Sequence, residues 1–244
     1  MSLKPGEIEI GTRGLFIAGA VFSAWVASLL ALLQVDLSWG ALLWVPLAVA
    51  LRSFLNVGLF ITAHDAMHGT LYPKSSFLNH AVGRLSVFLY AGFSYDMLWA
   101  AHIRHHDAPG TADDPDFADT PGDGLWKWFS AFMIRYTTVK QTVVMTGYMW
   151  VVSLVSVSFW NTLVFWALPA LLSALQLFYF GTYQPHRSDA APFEDKHRAR
   201  TVERPVWLSF LTCYHFGYHL EHHRYPWVPW WALPKLRRVL RTPS

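Results

Sequence analysis

The chain has 244 residues, of which 53% are apolar and 14% charged, and its formal net charge is +3. Soluble domains carry roughly a quarter charged residues, so the composition excludes an ordinary soluble globule and places the chain in a membrane; no nucleic-acid partner is expected. The single cysteine, Cys213, excludes an internal disulfide framework and a thiolate metal cluster. Thirteen Trp, ten Tyr and seventeen Phe suit bilayer interfaces and pockets for long apolar ligands.

In chain order, the first apolar run, 14–35, is too long for the core of a cleavable signal and is expected to span the bilayer, as is 39–63. The run 81–93 is short for a crossing and is expected to be interfacial or re-entrant. Two more spans are expected at 141–160 and 162–182. Very short links, around residue 37 and at Asn161, make each pair of spans an antiparallel hairpin. The expected fold is an all-α integral membrane protein, one domain over 1–244, with four transmembrane helices in two hairpins and a helical cap on the cytoplasmic face. Apart from Arg52, every Lys and Arg lies before the first span, between Lys74 and Lys140, or from Arg187 onward. The positive-inside rule then puts both termini and the central loop on the cytoplasmic side.

All twelve histidines fall on or beside that side. HDAMH sets His64 and His68 four apart, AHIRHH sets His102, His105 and His106 at i, i+3 and i+4, and HLEHH repeats that spacing with His219, His222 and His223. On a helix these offsets gather imidazoles on one face. Eight such ligands exceed what one four-coordinate zinc uses, so two metals are expected. Imidazole alone does not choose among Fe, Cu, Zn and Ni, and the count in a membrane setting favours a di-iron centre. Neither Asp65 nor Glu221 completes an HExxH motif, which argues against a metalloprotease.

The HxxxH, HxxHH and HxxHH set on paired spans resembles the membrane fatty acid desaturase and hydroxylase superfamily. Within it, FITAHDAMHG (60–69), AHIRHHDAPGTADDPDF (101–117), LPALLSALQLFYFGTYQPHR (168–187) and LTCYHFGYHLEHH (211–223) are similar to the bacterial β-carotene 4-ketolases. The resemblance implies two non-haem irons ligated by the eight box histidines, O2 as co-substrate, electrons from a ferredoxin-type donor, and a carotenoid taken from the bilayer of the bacterial cytoplasmic membrane. It implies two hydroxylations at C4 of a β-ionone ring and loss of water to a ketone. A ninth ligand is expected just after the last span, where His186 stands; the other reading of His186 is an interfacial residue beside Arg187.

Other polar residues carry paired readings. His215 lies four before His219 and is read as lining the pocket or orienting a ligand, with ligation as the alternative. Asp113, Asp114 and Asp116 are candidates to accept the second N–H of ligand imidazoles, or to shape a turn around Pro115; Asp65, beside His64, and Glu221, inside HLEHH, face a similar choice between orienting a ligand and a local structural role. His80 and His197 read as solvated loop residues. Arg52 is expected to pair with Asn56 inside the bundle, and Trp227, Trp230 and Trp231 with Lys235, Arg237 and Arg238 to anchor the tail at the interface, or to dock an acidic donor. Phe88, Tyr90, Phe93, Phe178 and Tyr179 are candidates to line a substrate tunnel. The rival activities on the same boxes are carotenoid ring hydroxylation and acyl desaturation; outside enzymes, a haem or metal carrier.

Overall fold

The computed structural model describes residues 11–241 apart from 119, 121, 189–191 and 194, and apart from the Leu42 side chain. Helix α1 (Arg13–Leu32) is followed by a 3-10 turn at Trp39–Leu43 and by α2 (Val45–Met67), which packs back against α1. Pro46 sits in the first turn of α2, where its missing N–H costs nothing. α3 (Ser76–Ala91) and α4 (Tyr95–Asp107) follow, each opened by a serine, Ser75 and Ser94, whose hydroxyl accepts the backbone N–H three residues on. Gly92 closes α3 at φ 65°, a left-handed conformation suited to glycine. α5 (Leu125–Tyr136) and α6 (Val139–Leu154) lead to α7 (Phe159–His186), and α8 (Val206–Cys213), α9 (His219–Arg224) and α10 (Leu233–Arg241) complete the order. The described residues contain no strand beyond an isolated bridge, Thr201 with Tyr218.

The all-helical expectation holds, and α1, α2 and α7 are long and apolar enough to cross a membrane. The four-span expectation is met less fully. α6 has 16 residues and ends at Leu154, so at 1.5 Å per residue it is about 24 Å long, short of the roughly 30 Å hydrocarbon core. The run expected to be re-entrant or interfacial is α3, which lies along α2 with the Tyr90 ring against Phe60 at 5.7 Å. α6 starts at that depth, where Gln141 Nε2 donates to the Ala91 carbonyl at 3.0 Å, and ends where Gln34 Nε2 donates to the Val155 carbonyl at 2.6 Å.

α2 is the organising helix. Its first half shows Leu47 and Leu51 on the outside, whereas nearly every residue from Arg52 to Met67 is buried. Gly58 lets the Tyr214 hydroxyl approach so closely that an added Cβ would stand 2.4 Å from it. The expected Arg52–Asn56 pair is not formed, because α1 and α7 offer both residues better partners. Arg52 donates to the Trp25 carbonyl (2.5 Å), Ser28 Oγ (3.0 Å) and the Phe165 carbonyl (3.2 Å), while Asn56 Oδ1 accepts Trp25 Nε1–H at 2.6 Å. The Phe165 contact follows from sequence: Pro169, four residues on, has no N–H to give that carbonyl. α7 widens to π-helical turns at Leu163–Ala167 and Phe178–Tyr183, shortly before Pro169 and Pro185 respectively.

Candidate metal centre

The last turn of α2 delivers His64 and His68, α4 delivers His102, His105 and His106, α7 ends on His186, and α9 supplies His219, His222 and His223. Nine imidazoles converge in two groups. His64, His68, His102, His106 and His222 form one; His105, His186, His219 and His223 form the other, with the ligand atoms of each group within 4.8 Å of one another. The two HxxHH boxes are used in opposite senses. In α4 the i, i+4 pair serves the first group and the middle histidine the second; in α9 the pair serves the second and His222 crosses to the first. Each box therefore touches both groups, which holds them side by side.

The donor set can be tested against a metal from its nitrogens. Nε2 atoms face one another at 3.1 Å (His64–His222), 2.9 Å (His106–His222), 2.7 Å (His68–His102), 3.2 Å (His105–His223) and 3.1 Å (His219–His223). Imidazoles bound to one ion at about 2.0–2.1 Å and at right angles bring their nitrogens to about 2.9 Å, the separation seen. The tautomers agree. His186 Nδ1 lies 2.8 Å from the Arg198 carbonyl, which can only accept, so Nδ1 carries the proton and the buried, unpartnered Nε2 presents a lone pair. His105 Nδ1 donates to Asp114 Oδ1 at 2.9 Å, which frees its Nε2 in the same way. The residues fit two metal ions.

Burial shapes the electrostatics. It lowers His68 to about 4 and, with neighbouring imidazoles adding to it, puts His102, His219, His222 and His223 well below the ordinary histidine range. These rings are neutral, as ligands must be. Burial also acts to lower His105, but the Asp114 hydrogen bond and the charges of Asp116 and Asp114 outweigh it and leave this ring raised.

Among the aspartates, Asp114 is buried and accepts from His105, Gly110 N (2.8 Å) and Asp116 N (2.8 Å). Asp116 accepts from the Tyr136 hydroxyl, with its other oxygen 4.0 Å from His105 Nδ1. Asp113 is exposed and outside both groups. Asp65 accepts from Trp230 N at 3.3 Å and stands 3.6 Å from His64 Nδ1, beyond a good hydrogen bond. His215 is not on the helical face of His219: Tyr214 and His215 take φ of 45° and 66°, which separates α8 from α9 and leaves the His215 ring among Phe210, Tyr218 and Trp230, outside both groups and the tunnel wall.

Two further expectations are corrected. His80 lies on α3 against Tyr95 and Trp99, while His197 is in a loop, half-buried, 6.1 Å from the His223 ring. In the tail, Trp230 packs on Phe210, and Arg237 pairs with Glu203 and with Glu221, the glutamate inside HLEHH. Sequence reasoning missed Arg198. Its carbonyl fixes the His186 tautomer and its guanidinium donates to the Gly110 carbonyl at 2.6 Å. A role carried by a main-chain carbonyl leaves no side-chain signature.

A cavity of about 240 Å³ leads away from His64, His102, His105 and His219 between α3, α5, α6 and α7. Tyr90, Phe93 and Phe178 line it, and it reaches Leu171, 66% exposed on the flank of α7. Phe88 and Tyr179 do not line it; Phe88 packs on Tyr148, and Tyr179 on Phe180 and Tyr183. Its wall is overwhelmingly apolar, which suits a bilayer-soluble ligand.

Nine converging imidazoles, three at the ends of membrane-length helices and six on the short helices α4 and α9, beside a mostly apolar cavity, define a protein of membrane-length helices with two histidine clusters able to hold metal ions. The fatty acid desaturase family profile matches residues 37–242. A β-carotene ketolase of Paracoccus sp. strain PC1 is 40% identical over 238 residues, covering 97% of each chain, and one from a second Paracoccus strain, N81106, is 39% identical over 233 residues, covering 95% of each. A zeaxanthin 4-ketolase of Chlamydomonas reinhardtii is 38% identical over 253 residues, 98% of this chain and 56% of that protein. The chain belongs to the fatty acid desaturase family, in the branch that holds the β-carotene ketolases.

Proposed function

We propose that this protein is an O2-dependent, integral membrane ketolase that converts the C4 methylene of a β-ionone ring to a ketone. The observation that carries the reading is the meeting of a mostly apolar cavity, open toward the flank of α7, with two adjacent groups of buried imidazoles. Near-full-length similarity to β-carotene ketolases supports the choice of substrate.

His64, His68, His102, His106 and His222 would hold one iron, and His105, His186, His219 and His223 the other. Two irons so held would supply the activation of O2 that attack on the allylic C4–H bond requires. The chain's own groups do the rest. Asp114 and the Arg198 carbonyl hold His105 and His186 in the tautomer that keeps Nε2 free. Phe60, Tyr90, Phe93 and Phe178 present an apolar wall that admits a polyene and excludes water, so that one end ring is held at the imidazoles with C4 foremost. One hydroxylation at C4 gives the alcohol, and a second at the same carbon gives a gem-diol that loses water to the ketone. Each round takes one O2, two electrons and two protons and releases one water, so an external donor is required; a ferredoxin-type protein fits that demand. With α6 as a short fourth crossing, the Lys and Arg distribution puts both termini and the histidines at the cytoplasmic face of a bacterial inner membrane.

Expression in a β-carotene-accumulating bacterium tests the reading. Pigments that gain oxygen and lose two hydrogens per ring, absent with His106→Ala and His222→Ala, are expected. Oxygen gained without hydrogen lost would make the protein a ring hydroxylase, and unchanged β-carotene from well-folded, iron-loaded protein supplied with reductant would overturn the carotenoid reading in favour of acyl chains.

A further inference from the structure

Besides the imidazoles, the polar side chains on the tunnel wall are Tyr90, Asp116, Tyr136, Thr137, Gln141 and Thr182, and the Tyr90 hydroxyl is engaged by Ser173. Asp116 stands at the metal end, with one oxygen 4.0 Å from His105 Nδ1, and the Tyr136 hydroxyl donates to its other oxygen. The neighbouring Asp114 spends its carboxylate on His105 and two backbone N–H groups and keeps 1% of its side chain exposed; Asp116 keeps 18%. A carboxylate has about four lone-pair positions, so the pair retains acceptor capacity facing the tunnel. It is an acceptor and a hydroxyl together beside the imidazoles, in a wall that is otherwise mostly apolar.

We propose that Asp116 and Tyr136 form a receptor for a hydroxyl on the ring carbon next to the one oxidised, so that the tunnel binds 3-hydroxylated β-ionone rings more tightly than unsubstituted ones. The proposal rests on the reading above that C4 is presented to the imidazoles. C3 is bonded to C4, so a ring placed for oxidation carries any 3-hydroxyl to the wall around the metal end, where Asp116 lies. That hydroxyl can donate to the Asp116 carboxylate and accept from the Tyr136 O–H, since one hydroxyl both donates and accepts. With an unsubstituted ring the pair stays closed on itself, and no buried polar group loses its partner. The site therefore tolerates β-carotene while favouring zeaxanthin, instead of rejecting the ring that lacks the hydroxyl, as a site left with unpaired groups does.

Two hydrogen bonds form and the Tyr136–Asp116 bond is broken, so the net gain is one neutral hydrogen bond, a preference of roughly two- to tenfold. The test uses the full chain, purified with iron in lipid nanodiscs. Binding of zeaxanthin and of β-carotene is read by quenching of tryptophan fluorescence, and competing turnover by chromatography of a mixture of the two. The parent is expected to bind zeaxanthin severalfold more tightly, and Tyr136→Phe, which leaves the carboxylate without its internal donor, to widen the ratio of dissociation constants, because only the 3-hydroxylated ring then satisfies Asp116. Asp116→Asn is the second variant and should narrow the same ratio. A parental ratio near one, or a ratio unchanged in both variants, would overturn the proposal even if the parent makes ketones from both pigments. Conversely, the expected ratios in protein that oxidises neither pigment would sustain the receptor and sink the ketolase reading.

Discussion

Asp114→Asn isolates the part of the site that orients a ligand without touching a metal. The carboxylate takes three hydrogen bonds, from His105 Nδ1 at 2.9 Å, Gly110 N at 2.8 Å and Asp116 N at 2.8 Å. Asparagine keeps one oxygen. If that oxygen stays on His105 and Asp116 N, which share Oδ1, the new NH2 group points at the Gly110 N–H, donor against donor; if it turns to Gly110, both of those donors lose their acceptor. The first arrangement costs less, with one charge-assisted bond lost and the others weakened, about 1.5–3 kcal/mol, or roughly 10–100-fold in a binding constant. Changes in groups that orient metal-bound histidines fall in the same range. His105 belongs to the group with His186, His219 and His223, so the loss should be confined to one of the two ions. Purified protein equilibrated against a graded chelator and analysed for iron should fall from two ions to one at a chelator concentration 10–100-fold lower than the parent, with conversion of β-carotene falling in step. Equal retention of both ions, with conversion undiminished, would refute the orienting role.

Arg52→Met leaves the Phe165 carbonyl without its side-chain donor and should lower stability in detergent by about 1–3 kcal/mol; adding Pro169→Ala, which restores an N–H four residues on, should recover part of it, and strictly additive effects in thermal melts would disprove the link. Ala174→Trp, on the tunnel wall, should abolish carotenoid oxidation with the iron content unchanged, and loss of iron would show that the variant disrupts the centre instead of blocking access. Chelated, metal-free protein should lose stability as pH falls. The buried rings bind protons more weakly folded than unfolded, His68 near 4 against about 6.5 for a free histidine, so the unfolded state takes up protons first and stability is lost from about pH 6.5 downward. Thermal midpoints of the metal-free protein at pH 7.5 and 5 check this, and a higher midpoint at pH 5 would contradict it.

The sequence by itself determined what periodicity and chemistry determine locally. Apolar runs marked α1, α2 and α7, and the i, i+3 and i+4 offsets marked histidines that a helix must present together, because these are properties of neighbours on one turn. What lies between distant segments was decided by the tertiary structure. The division of each HxxHH box between two groups, with His222 crossing to join His64 and His106, depends on how α4 and α9 meet α2, and both boxes have the same spacing. His215 looked like a neighbour of His219 until two left-handed residues, Tyr214 and His215, broke the helix between them. Arg52 took its partners from α1 and α7 because Pro169 had left a carbonyl open there. Asp114 and the Arg198 carbonyl fix imidazoles that lie 9 and 12 residues away in the chain, through loops whose course no periodicity encodes. Local pattern names the donors; only packing, which brings distant polar groups such as Asp114 and the Arg198 carbonyl within reach, decides which donors share an ion and what holds them.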